Sequence, residues 1–211
     1  MPKPTFFHLS ETKRQRLIAA AKAEFSRTTL QEASVANIVK LAEIPRGSFY
    51  QYFEDKEDLY YYYFNLLSQT NKRDIEIALK NADGDLFEAV EVYFTKMIVE
   101  VLTGENAAFY KQLFMGLDYR LIKLLSLEFL SQYDQHTRCE GNQLLELIDW
   151  SCVTIQEPQE RALLLQMFLT NAYTSIAEGY CQLCLDPQYK VEGIVKQFKI
   201  KLNWLKQGVY Q

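Results

Sequence analysis

The sequence predicts an all-α chain. Glycine and proline are scarce, 8 and 5 among 211 residues, whereas strand-rich chains need them often as turn punctuation. Apolar residues recur at spacings of three and four through most of the chain, and the alternation expected of strands is nearly absent. The composition, 48% hydrophobic and 24% charged, is that of a globular protein and argues against a disordered, collagen-like or wholly coiled-coil chain. At this length a core forms without disulfide or metal staples, and one to two domains are expected.

The elements follow in order. A first helix is expected over 10–26, with Ser10 as N-cap and Glu11 at the positive helix end. Its apolar stripe is Ile18, Ala21 and Phe25, with Leu17 beside it. A second covers 34–41, where Val35, Ile38, Val39 and Ala42 mark one face. A third, short helix covers 45–52; Pro45 suits the first helical position, where its missing N–H is not needed. A fourth starts near 55 and runs past 72. Beyond it the pattern predicts a helix over 86–102, a broken stretch over 106–117, helices over 119–134 and 141–152, a long one over 158–183 and a last over 189–206. The last carries Val191, Ile194, Val195, Phe198, Leu202 and Leu205 as a clean stripe.

Net charge is −4 but unevenly spread: residues 1–50 carry +4 and residues 51–211 carry −8. A basic head on an acidic body points to an anionic partner for the head alone. The start of the chain has Pro2 and Pro4 and no apolar run, so no secretory leader is expected. The longest uncharged stretch, 162–177, is too short and too polar to span a membrane. Four cysteines without a leader are expected to be free thiols, which places the chain in the cytoplasm.

Helices two and three are short and separated by a turn of about three or four residues, the geometry of a helix-turn-helix whose second helix enters the DNA major groove. The identities strengthen this reading. In Pro45–Phe53 (PRGSFYQYF), Phe49 and Phe53 lie four apart and anchor the short helix to a bundle. Arg46, Ser48, Tyr50, Gln51 and Tyr52 are left around its outer surface, and Gly47 leaves room for close backbone approach to DNA.

Over residues 10–64 the sequence resembles the tetracycline-repressor (TetR) family of bacterial transcription regulators. The resemblance rests on RLIAAAKAEFSR at 16–27, SVANIVKLAEI at 34–44, PRGSFYQYF at 45–53 and EDKEDLYYYYF at 54–64, in that order. It implies a three-helix DNA-binding head, residues 1–53, and a helical ligand-binding and dimerisation body, residues 54–211. Ser34 is implied as a phosphate contact at the start of helix two, and Arg46 stands where the family often has Lys. Ser48 and Tyr50 are implied to face backbone or bases, Tyr52 the backbone, and Lys56 a phosphate. Two positions depart from the pattern: Ala33 stands where Thr is common before Ser34, and Glu43 stands where the turn commonly has Gly. The resemblance further implies a homodimeric, cytoplasmic regulator, a repressor released from a palindromic double-stranded operator by a small molecule.

Two other regions carry possible chemistry. Cys181 and Cys184 form a C-x-x-C, and Cys139 follows His136 by three; a metal- or redox-responsive regulator is one alternative. No zinc signature, nucleophile elbow or phosphate loop is present, so neither an enzyme nor a cofactor is expected. A helical interaction protein that binds no DNA is the other alternative; salt-dependent DNA affinity separates the two.

The body is expected to hold its effector among aromatic side chains: Tyr63 from the run Tyr60–Phe64, then Phe94, Phe109, Phe114, Phe129, Phe168 and Tyr173. Such a lining favours a hydrophobic small molecule. The last two helices are expected to form the dimer contact. Ala172, Ser175 and Gly179 permit close helix approach, while Ile194, Phe198, Leu202 and Leu205 supply a second apolar face, together giving a four-helix interface.

Overall fold

A computed structural model describes residues 2–116 and 141–210, with the side chains of 69–72 and 141–143 excepted. The expected helix over 119–134, with Phe129, His136 and Cys139, lies outside the described residues. The described elements are helices α1 (Pro4–Phe7), α2 (Glu11–Arg27), α3 (Val35–Leu41), α4 (Arg46–Tyr52), α5 (Lys56–Asn81), α6 (Leu86–Thr103), α7 (Ala107–Met115), α8 (Gly141–Glu146), a 3₁₀ turn (Trp150–Cys152), α9 (Pro158–Leu185) and α10 (Val191–Val209). None of the described helices is long and apolar enough to cross a membrane. The chain divides into two compact units, Met1–Thr70 with Glu105–Gly116, and Asn71–Gly104 with the residues from 117 onward.

In the first unit α2 buries Leu17, Ala20, Ala21 and Phe25, while Ile18 is only half-buried, so the stripe is rotated slightly from the expected one. α3 adds Ile38 and Val39, α4 adds Phe49, and Phe53, Leu59 and Tyr60 complete the core. Pro45 stands one position earlier than expected: with ψ at 144° it is the N-cap of α4, not its first helical residue. The stretch over 106–117, expected to be broken, holds the regular helix α7, which packs on α2 and buries Phe109 and Leu113. The Phe109 ring lies 5.4 Å from Tyr60 and 4.9 Å from Tyr63. α1 has no counterpart in the sequence pattern, because a helix of four residues carries no periodicity to detect.

In the second unit α6, α9 and α10 pack on one another around Phe87, Phe94, Ile98, Phe168, Ile176 and Phe198. The residues expected at the dimer contact are placed as follows in the single chain. Ala172, Ser175 and Gly179 are buried within the chain, and a Cβ on Gly179 would sit 2.8 Å from Leu102 Cδ1. The small residues therefore admit α6 of the same chain. Ile194, Phe198 and Leu202 also point inward, and Leu205 is half-buried. The outward faces of the same two helices carry Leu163 and Met167 on α9, and Ile200 and Trp204 on α10. The end of α10 is held by the Tyr210 hydroxyl, which donates to Asp85, the N-cap of α6.

Candidate nucleic-acid interface

The start of α3 is built around a buried carboxylate. Glu24 is 2% exposed, and its oxygens accept from the Ser34 N–H at 2.9 Å, the Asn37 amide at 3.1 Å and the Arg27 guanidinium at 2.9 Å. Burial by itself raises this carboxyl, but those donors outweigh it and hold it below its ordinary value. Ser34 then caps α3, its Oγ accepting from Ala36 N–H at 3.2 Å. Sequence reasoning missed Glu24. The available signal was a carboxylate one residue before Phe25 on the apolar side of α2.

The turn into α4 places Glu43 in the left-handed region, at φ 54°, and closes with Ile44 N–H donating to Val39 O at 3.0 Å. That is the helix ending usually completed by glycine. The Glu43 carboxylate turns back to the Arg16 guanidinium at 2.7 Å, so the departure at this position puts no unpaired negative charge on the turn.

Phe49 and Phe53 are both fully buried and fix the inner side of α4. Its outer side presents Arg46, Gly47, Tyr50 and Gln51 to solvent, with Ser48 and Tyr52 half-buried at the margins. A Cβ built on Gly47 meets nothing within 4 Å, so packing inside the chain does not require glycine there. Lys56, at the first turn of α5, donates from Nζ to Gln31 O at 2.7 Å and Ala33 O at 3.0 Å. Its ammonium thereby stands beside the start of α3 and ties the loop before it to α5. These acceptors are backbone groups, which the sequence pattern does not reveal.

The aromatic residues expected to line an effector site are distributed over both units. Tyr63, Phe109 and Phe114 are buried in the first; Phe94 and Phe168 are buried in the second, where Tyr173 is half-buried. The Tyr63 hydroxyl donates to Asn106 Oδ1 at 3.0 Å, and burial pushes it up to about 12. Cys181 and Cys184 are exposed on α9, and no group of three or more metal-ligating side chains occurs among the described residues.

Comparison with known proteins bears on this geometry. A family model for the tetracyclin repressor-like C-terminal domain matches residues 85–209, and one for bacterial regulatory proteins of the tetR family matches residues 17–64. The chain belongs to the TetR family. It is accordingly a ligand-responsive, DNA-binding transcription regulator, and regulators of this family act as dimers on operator DNA. Solved structures with the same fold include the transcriptional regulator FadR from Bacillus subtilis in complex with stearoyl-CoA, at 22% identity and TM-score 0.60, covering 93% of this chain and 99% of that one. A putative transcriptional regulator from Pseudomonas aeruginosa PAO1 is 16% identical with TM-score 0.57, covering 97% and 96%. A TetR-family regulator from Marinobacter aquaeolei VT8 is 18% identical with TM-score 0.56, covering 92% and 95%. No curated protein matches the sequence.

Proposed function

We propose that this TetR-family regulator is a repressor whose α4 is the recognition helix, released from a palindromic operator by a hydrophobic small molecule. The carrying observation is the division of α4: Phe49 and Phe53 lock its inner side, and Arg46, Gly47, Tyr50 and Gln51 are exposed on its outer side. Arg46, Ser48, Tyr50 and Gln51 supply side chains for base edges and flanking phosphates, and Gly47 lets the backbone come close. Ser34, Tyr52 and Lys56 take phosphates around them. By role the chain divides after Phe53: residues 1–53 read DNA, and residues 54–211 hold the effector and join two copies.

The dimer forms through the outward faces of α9 and α10, where Leu163, Met167, Ile200 and Trp204 are exposed in the single chain. The effector is hydrophobic because the second unit, which the tetracyclin repressor-like C-terminal domain model spans, is rich in aromatic side chains, among them Phe94, Phe168 and Tyr173. The Bacillus subtilis FadR structure holds stearoyl-CoA, which brings long-chain acyl thioesters into the range of candidates.

Selection from random duplexes, read by gel shift at two salt concentrations, tests the reading. The expected outcome is an enriched palindrome with half-sites about one helical turn apart, bound with an affinity that falls steeply as salt rises. No enriched palindrome, or affinity indifferent to salt, overturns it.

A further inference from the structure

The last carbonyls of a helix have no partner within it and must find donors elsewhere. In α4 the Phe49 carbonyl is taken by Phe53 N–H at 2.9 Å, which leaves those of Tyr50, Gln51 and Tyr52. All three are satisfied from one distant segment at the chain's N-terminus. Lys3 Nζ donates to Tyr50 O at 2.9 Å, the Thr5 hydroxyl donates to Gln51 O, and Lys3 N–H donates to Tyr52 O at 2.8 Å. The Lys3 ammonium also sits at the negative end of the helix, where a cation is favoured. The segment is held in place by Phe6, which is fully buried with its ring 5.0 Å from Phe53 and 5.1 Å from Tyr62. Pro4 opens the short helix that carries Phe6, fixing φ where the chain turns back.

A seven-residue helix is too short to hold its own geometry in water. Its inner side is locked by Phe49 and Phe53, but the carbonyls of Tyr50, Gln51 and Tyr52 take their donors from outside α4. Tyr50 and Gln51, whose side chains face outward, are the residues whose carbonyls the N-terminal segment takes. We propose that residues 3–7 are a positioning strap for the recognition helix: Lys3 and Thr5 hold the C-terminal carbonyls of α4, Phe6 pins the strap, and operator discrimination depends on it. The strap touches α4 on its backbone, so it acts through Tyr50 and Gln51 without itself reading bases. This rests on α4 being the recognition helix.

The test uses the full-length chain and the operator that it selects, compared with a scrambled duplex of equal length. Thr5→Val removes one capping bond and no charge; Lys3→Met removes another and keeps the side-chain stem. Both positions are exposed, so the variants are expected to fold, as circular dichroism checks. The double variant should lose about tenfold in preference for operator over scrambled duplex, with Thr5→Val contributing a measurable share. Amide hydrogen exchange in the free protein should accelerate at residues 50–53 and not in α2. Phe6→Ala should act like the double variant, and Phe6→Leu should restore most of the preference. The proposal is overturned if the double variant keeps full preference. It is equally overturned if Thr5→Val is silent while Lys3→Met weakens both duplexes alike and lowers the salt slope by about one, the signature of a direct phosphate contact. If the unaltered chain selects no duplex, it is the recognition-helix reading that fails, whatever the exchange data show for the cap.

Discussion

Glu24 ties two helices of the first unit together from inside the fold. Its carboxylate joins α2 to the start of α3 through the Ser34 N–H and the Asn37 amide, and Arg27 covers its outer side. Removing it leaves the Ser34 N–H and the Asn37 amide without their acceptor in a partly buried place. Glu24→Ala should therefore destabilise the chain by about 2 kcal/mol, measured by denaturant unfolding near neutral pH. The sign of the pH dependence follows from its depressed titration. The stabilisation is present above the ordinary value of 4.5 and is lost as pH falls through the lower native value. Between about pH 7 and about pH 3.5, Glu24→Ala should lose less stability than the unaltered chain; equal losses would show that the carboxylate is not held low.

At the scale of the element, α10 carries a buried apolar face and an exposed one with large apolar side chains. Phe198 is fully buried against the ring of Phe94, 6.1 Å away, and Trp204, six residues on, is 66% exposed. A charge at the first site goes into a core with no partner, which costs several kcal/mol. Phe198→Glu should accordingly fail to fold. Trp204→Glu leaves the core untouched and places the charge on the outer face. It should keep its helical circular dichroism and run as a monomer by light scattering. A dimeric Trp204→Glu would move the interface off this face. Small residues at helical spacing, such as Ala172, Ser175 and Gly179 on α9, invite a close neighbour without saying whose helix it is. Leu102 of α6 takes the place.

For the molecule as a whole, release from DNA is a linkage problem. An effector weakens operator binding only as far as it prefers the form that does not bind DNA, and the operator must weaken the effector by the same factor. A ligand present at a hundred times its dissociation constant stabilises the fold by about 2.7 kcal/mol. For a chain of this size that is a rise in melting temperature of roughly 5–10 °C. Melting should be followed with stearoyl-CoA, lipophilic cations, neutral aromatics and soft metal ions. A shift with one of the organic classes, and operator release by the same compound, is the expected outcome. A shift with a metal ion alone, abolished by Cys181→Ser, would replace the hydrophobic effector with a thiol-dependent one.

Most of the described α-helices were legible in the sequence, because periodicity and turn chemistry act over a few residues. Phe49 and Phe53 lie one turn apart and could be assigned inward from spacing alone. The turn residue Glu43 was visible as an exception, but not the Arg16 that neutralises it 27 positions away. What the tertiary structure decided are the pairings between residues far apart in the chain. Lys56 reaches back to the carbonyls of residues 31 and 33, Glu24 organises a helix ten residues on, and Gly179 admits Leu102. The N-terminal segment gave no periodic signal at all. Its structure exists because Phe6 is buried by Phe53 and Tyr62, and because the end of α4 needs donors that its own neighbours do not supply. Local sequence determines which face of a helix is apolar; only the folded chain determines what that face, and the helix end beside it, will meet.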